Sequence, residues 1–224
     1  MPEPMIVTLD GPAGVGKTTL AKRLAQALGV AYLDTGAMFR AVALALGPGS
    51  WEWPDEAIAS RLEPMGFSLE GIGEDSRLRL DGEIVGQRIR AEDVGLWASN
   101  LATKDCVRRF LKKAQREIGR ATGLVAEGRD MGTVVFPGAA HKFFLEAEAR
   151  VRAARRVRQL EQMGQRPDMA AIERSIRTRD DQDRNRTIAP LTPAPDALII
   201  DTSLLDEDQV FARIMAEISP PASP

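Results

Sequence analysis

The stretch GPAGVGKT at residues 11–18 constrains this chain more than any other. It reads G-x-x-x-x-G-K-[ST] and lies between an apolar run, MIVTL (5–9), and a helical pattern, KTTLAKRLAQAL (17–28). A glycine-rich loop between a strand and a helix lets backbone N–H groups converge at φ/ψ values that other residues resist. The helix start adds unsatisfied donors and a positive dipole end. This strand–loop–helix setting separates a phosphate cradle from a glycine-rich turn that merely caps a helix. The spacing therefore predicts a nucleoside triphosphate held by Gly11, Pro12, Ala13, Gly14, Val15, Gly16, Lys17, Thr18 and Thr19. In such a loop Lys17 reaches the β- and γ-phosphates, Thr18 ligates Mg²⁺ and Thr19 donates to the α-phosphate. A GTPase switch would need N-K-x-D to read guanine, and the chain contains no Asn-Lys pair.

Four more short apolar runs read as strands: VAYL (30–33), LVAE (124–127), KFFLEA (142–147) and ALIID (197–201). Most are near-continuous, not alternating, as parallel strands buried on both faces are. Helical patterns lie between them. In 17–28, Leu20, Leu24 and Leu28 recur at four-residue spacing and Gly29 closes the pattern; others are CVRRFLKKAQREI (106–118) and 149–162. The alternation predicts an α/β fold on a five-stranded parallel sheet. Two segments break the rhythm. FSLEGIGEDSRLRLDGEIV (67–85) alternates and carries a DG turn, so it is expected to form a small antiparallel hairpin element. The polar, arginine-rich stretch from about 150 to 190 is interrupted by GQRPD (164–168). Both read as insertions on the sheet's loops, and the tail SPPASP (219–224) is expected to fray.

With 224 residues, 44% of them hydrophobic, the chain can bury one sizeable core. A formal net charge of −2 argues against a protein built to coat nucleic acid. Cys106 is the single cysteine and reads as a small semi-buried hydrophobe; His141 is the single histidine, so a His/Cys metal cluster is excluded. The N-terminus MPEPMIVTLDG has no basic patch before an apolar run, and no stretch approaches ~20 apolar residues. A soluble cytoplasmic protein is the expectation.

DTGAMFR (34–40) and EGRDMGT (127–133) follow the second and third strands and read as loops. Ligands of open α/β sheets gather beyond the carboxyl ends of strands. Arg40, Arg129 and Asp130 are therefore candidates for a second anion site beside the phosphate loop. RTRDDQDRNR (177–186) holds four arginines and three aspartates and no apolar side chain. As a helix it would put 179, 183 and 186 on one stripe and 177, 181 and 184 on another. Its plainest reading is a solvated helix laced by pairs such as Asp180 to Arg184.

GPAGVGKTT, DTGAMFR, EGRDMGTVVFP and RDDQDRNR, in this order and spacing, resemble the bacterial cytidylate kinases of the nucleoside monophosphate kinase group. The resemblance covers nearly the whole chain. It implies an adenylate-kinase-like fold with a core of 1–34, 101–150 and 187–218. A monophosphate-binding region at 35–100 would contain an insert with a small antiparallel sheet at about 67–85, and 151–186 would form a mobile LID. It assigns the acceptor's phosphate to Arg40, Arg129 and Arg186 with Thr35 nearby, cytosine to Ser99, Arg108 and Asp130, and the ribose region to Arg179 and Asp183. Lys17, Arg129, Arg179 and Arg186 would carry catalysis. Phe39 stands where the family often has tyrosine, and Glu127 where aspartate is frequent. The implied reaction is phosphoryl transfer from ATP, with Mg²⁺, to CMP or dCMP, by a monomer that binds neither nucleic acid nor membrane. The rivals are another small kinase of this loop type, acting on UMP, AMP or shikimate, and an ATP-dependent nucleic-acid-binding regulator.

Overall fold

The computed structural model describes residues 4–218, so the expectation for the 219–224 tail lies outside the described residues. In chain order its elements are β1 (Ile6–Asp10), α1 (Lys17–Leu28), β2 (Ala31–Asp34), α2 (Thr35–Leu46), α3 (Asp55–Leu62), β3 (Phe67–Glu70), β4 (Arg77–Leu80) and β5 (Glu83–Ile84). They continue with α4 (Glu92–Leu101), α5 (Asp105–Ala121), β6 (Leu124–Gly128), β7 (His141–Glu146), α6 (Ala149–Gln162), α7 (Met169–Asn185), β8 (Leu198–Asp201) and α8 (Glu207–Ile218). The main sheet has five strands in the order β2-β6-β1-β7-β8, with β2–β6, β1–β7 and β7–β8 paired parallel. All five strands expected from the apolar runs form, within a residue or two of their expected ends. The fold is α/β, as the alternation predicts.

Near-continuous burial matches near-continuous apolarity. Every residue of β6 is buried, as are the four central residues of β7 and the last four of β1. No helix of the described residues is long and apolar enough to cross a membrane.

The chain divides into two compact units. One comprises the N-terminal segment to Ile6 together with residues 25–127. Its core runs along α5, where Cys106, Val107, Leu111, Ala114 and Ile118 are buried at helical spacing. The 67–85 segment folds as a small antiparallel sheet of three strands, β3-β4-β5, one strand more than the hairpin that the alternation alone suggests. The DG turn joins only β4 to β5: Asp81 and Gly82 both take positive φ (52° and 81°), which suits a tight two-residue turn. A looser turn of 3₁₀ helix at Gly73–Asp75 links β3 to β4, so the alternating pattern concealed a third strand. Phe67, Leu78 and Leu80 pack this sheet against Ala37 and Ala41 of α2.

A second departure lies at residues 35–40, expected as loop. They are the first turns of α2, started by Asp34, whose Oδ1 accepts from the Ala37 N–H at 2.9 Å. The Asp-Thr-Gly stretch looks like a turn, yet an Asp N-cap followed by an apolar period is how a helix begins.

The other unit comprises residues 7–24 and 128–224. It contains the phosphate-type loop, β7 and β8, and the α6–α7 helical pair that the arginine-rich stretch forms on either side of 164–168. α7 ends at Asn185, and Arg186 caps it in extended conformation (φ −65°, ψ 140°). The expected 179/183/186 stripe is therefore broken at its last member.

Candidate functional site

In the second unit the loop after β1 folds as its glycines allow. Gly11 has φ 145°, and a Cβ built there would lie 2.2 Å from the Leu145 carbonyl oxygen, so only glycine fits against β7. Lys17 is buried at 6% exposure, with its ammonium donating to the carbonyls of Gly11 (2.8 Å) and Pro12 (2.7 Å). The loop thus wraps its own cation. Gly14, Gly16, Thr18 and Thr19 face outward, while Pro12 and Val15 are buried and Ala13 half-buried. Beside the loop is a pocket of about 230 Å³, lined among others by Val15, Thr19, Leu20, Arg155, Thr202 and Val210. Arg155 is fixed there by donating to the Thr202 carbonyl (2.6 Å) and hydroxyl (3.2 Å).

Four charged side chains expected at the site meet in the same unit. Arg129 Nε donates to Asp183 Oδ2 at 2.9 Å; Arg186 Nη1 lies 3.5 Å from Asp183 Oδ1; and Arg186 Nη2 lies 3.6 Å from Asp130 Oδ1. Arg186 Nε also donates to the Ala189 carbonyl at 2.5 Å. All four side chains are less than one-fifth exposed. Two cations and two anions so balanced can stay out of water without a net charge to desolvate. Arg179 is exposed on α7, as are Arg177, Asp181 and Arg184.

In the first unit, Thr35 Oγ1 donates to the Glu127 carbonyl at 2.6 Å and the Tyr32 hydroxyl donates to Glu127 Oε1. Arg40 Nη1 reaches the Ile89 carbonyl at 3.5 Å, and Ser99 is half-buried on α4. Arg108 is 9% exposed; its Nε donates to the Ala102 carbonyl at 2.7 Å and its guanidinium lies 5.6 Å from the centre of the Phe39 ring.

Three buried groups complete this unit's polar network, two of them, Arg152 and Asp10, unread in the sequence. Arg152 of α6 is 3% exposed and donates to three carriers at once. Its Nε bonds the Ala147 carbonyl (2.9 Å), and its Nη1 bonds the Ala13 carbonyl of the phosphate loop (3.0 Å). Nη1 and Nη2 also grip both oxygens of Asp180. Asp180 is therefore paired with Arg152 and not with Arg184, because it lies on the side of α7 facing α6. Asp10, closing β1, is the third: 4% exposed, it accepts from the backbone N–H of Met131 (2.9 Å) and Gly132 (2.8 Å). Burial pushes its carboxyl up to about 6; the Asp130 charge adds to this, while the two N–H bonds and Lys17 oppose it. A carboxylate ending an otherwise apolar strand was the available signal for Asp10. No signal tied Arg152 to a partner 28 residues away.

No group of three or more His, Cys, Asp or Glu side chains suited to a metal occurs among the described residues. Thr18, exposed at the start of α1, offers one hydroxyl. That suits Mg²⁺, which keeps its waters and is held largely by substrate phosphates, with few protein ligands.

A phosphate-cradling loop between β1 and α1 on a parallel sheet, with an arginine–aspartate cluster after β6, defines a nucleotide-binding protein of the P-loop class. Within that class the sequence model of the cytidylate kinases matches residues 7–220, and the chain belongs to that family. It is 54% identical over 217 residues to a cytidylate kinase of Maridesulfovibrio salexigens, covering 97% of each chain. It is 56% identical over 213 residues to one of Nitratidesulfovibrio vulgaris, covering 95% of this chain and 92% of the relative. A third, of Oleidesulfovibrio alaskensis, is 54% identical over 218 residues, covering 97% of this chain and all of the relative.

Two outcomes follow. Replacing Arg152 with Met strands a buried carboxylate and should cost about 3–5 kcal/mol, whereas an Arg152→Met, Asp180→Leu pair should cost much less; urea unfolding of both measures this. For Asp10 the raised folded pKa means its stabilising contribution is full below about 3.8 and lost as pH rises through about 6. Between pH 4.5 and 7, wild type should therefore lose about 2 kcal/mol of unfolding free energy relative to Asp10→Asn.

Proposed function

We propose that the protein transfers the γ-phosphoryl group of ATP to CMP or dCMP, giving ADP and CDP or dCDP. The observation that carries this reading is the Arg129–Asp183–Arg186–Asp130 cluster in a chain that also holds a phosphate cradle. An alcohol acceptor would need a base to remove its proton. A nucleoside monophosphate has a second pKa near ~6 and is already mostly a dianion at neutral pH. What must be overcome is repulsion: two unit charges ~4 Å apart at an effective dielectric of 20 cost about 4 kcal/mol. Guanidinium groups suit this because their planar fork takes phosphate oxygens in pairs and never loses its charge.

In this reading Gly11–Thr19 hold the triphosphate, and the pocket between Val15, Arg155 and Thr202 takes the nucleoside of ATP. Arg40, Arg129 and Arg186, with Thr35, bind the acceptor's phosphate. Ser99, Arg108 and Asp130 read cytosine, and Arg179 and Asp183 serve the ribose region. Asp130 can accept from the cytosine amino group, which uracil lacks, and a site built around a buried hydrogen bond discriminates strongly. Mg²⁺, held through Thr18 and the phosphates, would neutralise charge on the β- and γ-oxygens. Residues 151–186 act as a LID over a core of 1–34, 101–150 and 187–218, with 35–100 serving the acceptor. Closure would exclude water and limit ATP hydrolysis. The enzyme works as a cytoplasmic monomer. A nucleic-acid regulator is disfavoured by the net charge of −2 and by aspartates interleaved with the arginines.

A panel of acceptors with ATP and Mg²⁺ tests this reading. CMP and dCMP should be phosphorylated with kcat/KM at least about a hundredfold above UMP, AMP or shikimate. Equal rates with UMP would remove the role of Asp130, and preference for another acceptor would refute the reading.

A further inference from the structure

Asp10 directly precedes the phosphate loop, and its carboxylate reaches to the segment that carries Arg129 and Asp130. Both of its oxygens are used, one on the Met131 N–H at 2.9 Å and one on the Gly132 N–H at 2.8 Å. These N–H groups open a single wide π-helical turn, Met131–Val135, whose later N–H groups bond backward: Val134 and Val135 to the Asp130 carbonyl, Phe136 to that of Met131. The first N–H groups of a helical turn have no partner within it and need a cap. Here the cap comes from a strand more than a hundred residues away in sequence.

Both ends of this strap are sterically pinned. On one side Gly11 is pressed against the Leu145 carbonyl, with no room for a Cβ. On the other, a Cβ on Gly132 would lie 3.0 Å from Thr8 Oγ1, 3.3 Å from Lys142 Cδ and 3.5 Å from Asp10 Oδ2. The turn is thus drawn hard onto β1. Asp10 and Asp130 are both at least 95% buried and like-charged, so the structure keeps an electrostatically unfavourable neighbour at this point. An asparagine would offer one acceptor and turn its amide N–H₂ toward a backbone N–H.

We propose that Asp10 is a positioning residue: by clamping the Met131 and Gly132 N–H groups to the end of β1, it sets where Asp130 and Arg129 stand relative to the loop that holds the donor phosphates. Asp10 touches neither substrate. It acts through Asp130, and so on the choice of acceptor base, which rests on the function proposed above. On the far side of Asp10, Gly11 is held separately against the Leu145 carbonyl of β7.

The test compares wild type with Asp10→Asn and Gly132→Ala, the second disturbing the same contact by volume instead of charge. Amide hydrogen exchange should accelerate at residues 131 and 132 in both variants while the Gly11–Thr19 amides keep their protection. In steady-state kinetics the ratio of kcat/KM for CMP to that for UMP should fall at least about tenfold, with KM for ATP changing less than about threefold. Gly132→Ala keeps the proposal testable should Asp10→Asn fail to fold. Unchanged exchange at 131 and 132 overturns the clamp whatever the enzyme phosphorylates. Faster exchange with an unchanged CMP-to-UMP ratio overturns the positioning role. A wild-type enzyme that prefers neither base contradicts the function instead, and is recognised before any variant is made.

Discussion

One carboxylate, Asp183, receives two guanidinium groups, and the arrangement of the Arg129–Asp183–Arg186–Asp130 cluster depends on that convergence. Arg129 and Arg186 would repel each other if left side by side in a poorly hydrated place. Asp183 takes Arg129 on one oxygen and Arg186 on the other, and Asp130 balances the second face of Arg186. Folding has therefore brought two guanidinium groups to one point, with their charge balanced and their forks oriented by two carboxylates. In the proposed reaction an incoming phosphate would meet donors whose positions were set beforehand, which is how preorganised electrostatics contributes to phosphoryl transfer.

Two buried contacts, one a carboxylate on backbone N–H groups and one an ion pair, hold the segments that bear this cluster. Asp10 ties the turn after Asp130 to the end of β1. Arg152 ties α7, which carries Asp183 and leads into Arg186, to α6 and to the Ala13 carbonyl of the phosphate loop. Each contact joins residues distant in sequence through backbone groups as well as a side chain. Such links are costly to break singly: without Arg152 a buried carboxylate is left unpaired, and without Asp10 two backbone N–H groups lose their acceptor. They also make the loop that cradles one nucleotide and the segments that bear the arginines mechanically continuous within a single unit.

The sheet was legible in the sequence because parallel strands buried on both faces leave unbroken apolar runs, and because a strand–loop–helix phosphate motif announces its own neighbours. α1 and α6 are expected and observed at the same residues. The second helix was not legible: Asp34-Thr35-Gly36 reads as a turn until Asp34 is seen capping Ala37. β5 was hidden because two strands and a third share one alternating pattern with only one strong turn. The phosphate loop and Arg40, Arg129 and Asp130 could be proposed from the residues themselves, whereas Thr35, Ser99, Arg108, Arg179, Asp183 and Arg186 came only from the resemblance. What the motifs could not convey is how the side chains partner one another. Asp180 reads as an i,i+4 partner of Arg184, but tertiary packing turns it toward Arg152. The period of a helix also says nothing about where the helix stops, and α7 ends one residue before Arg186, which aims that side chain by its extended backbone and its bond to Ala189.

The central claim is that Arg129 and Arg186 act as one charge-stabilising unit organised by Asp183. The most direct measurement is a double-mutant cycle on kcat at saturating ATP and CMP, using Arg129→Ala, Arg186→Ala and the pair. Groups that act together give strongly non-additive losses, so the double variant should fall within about tenfold of the worse single variant. A double variant whose loss equals the product of the two single losses would show two independent contacts and contradict the account.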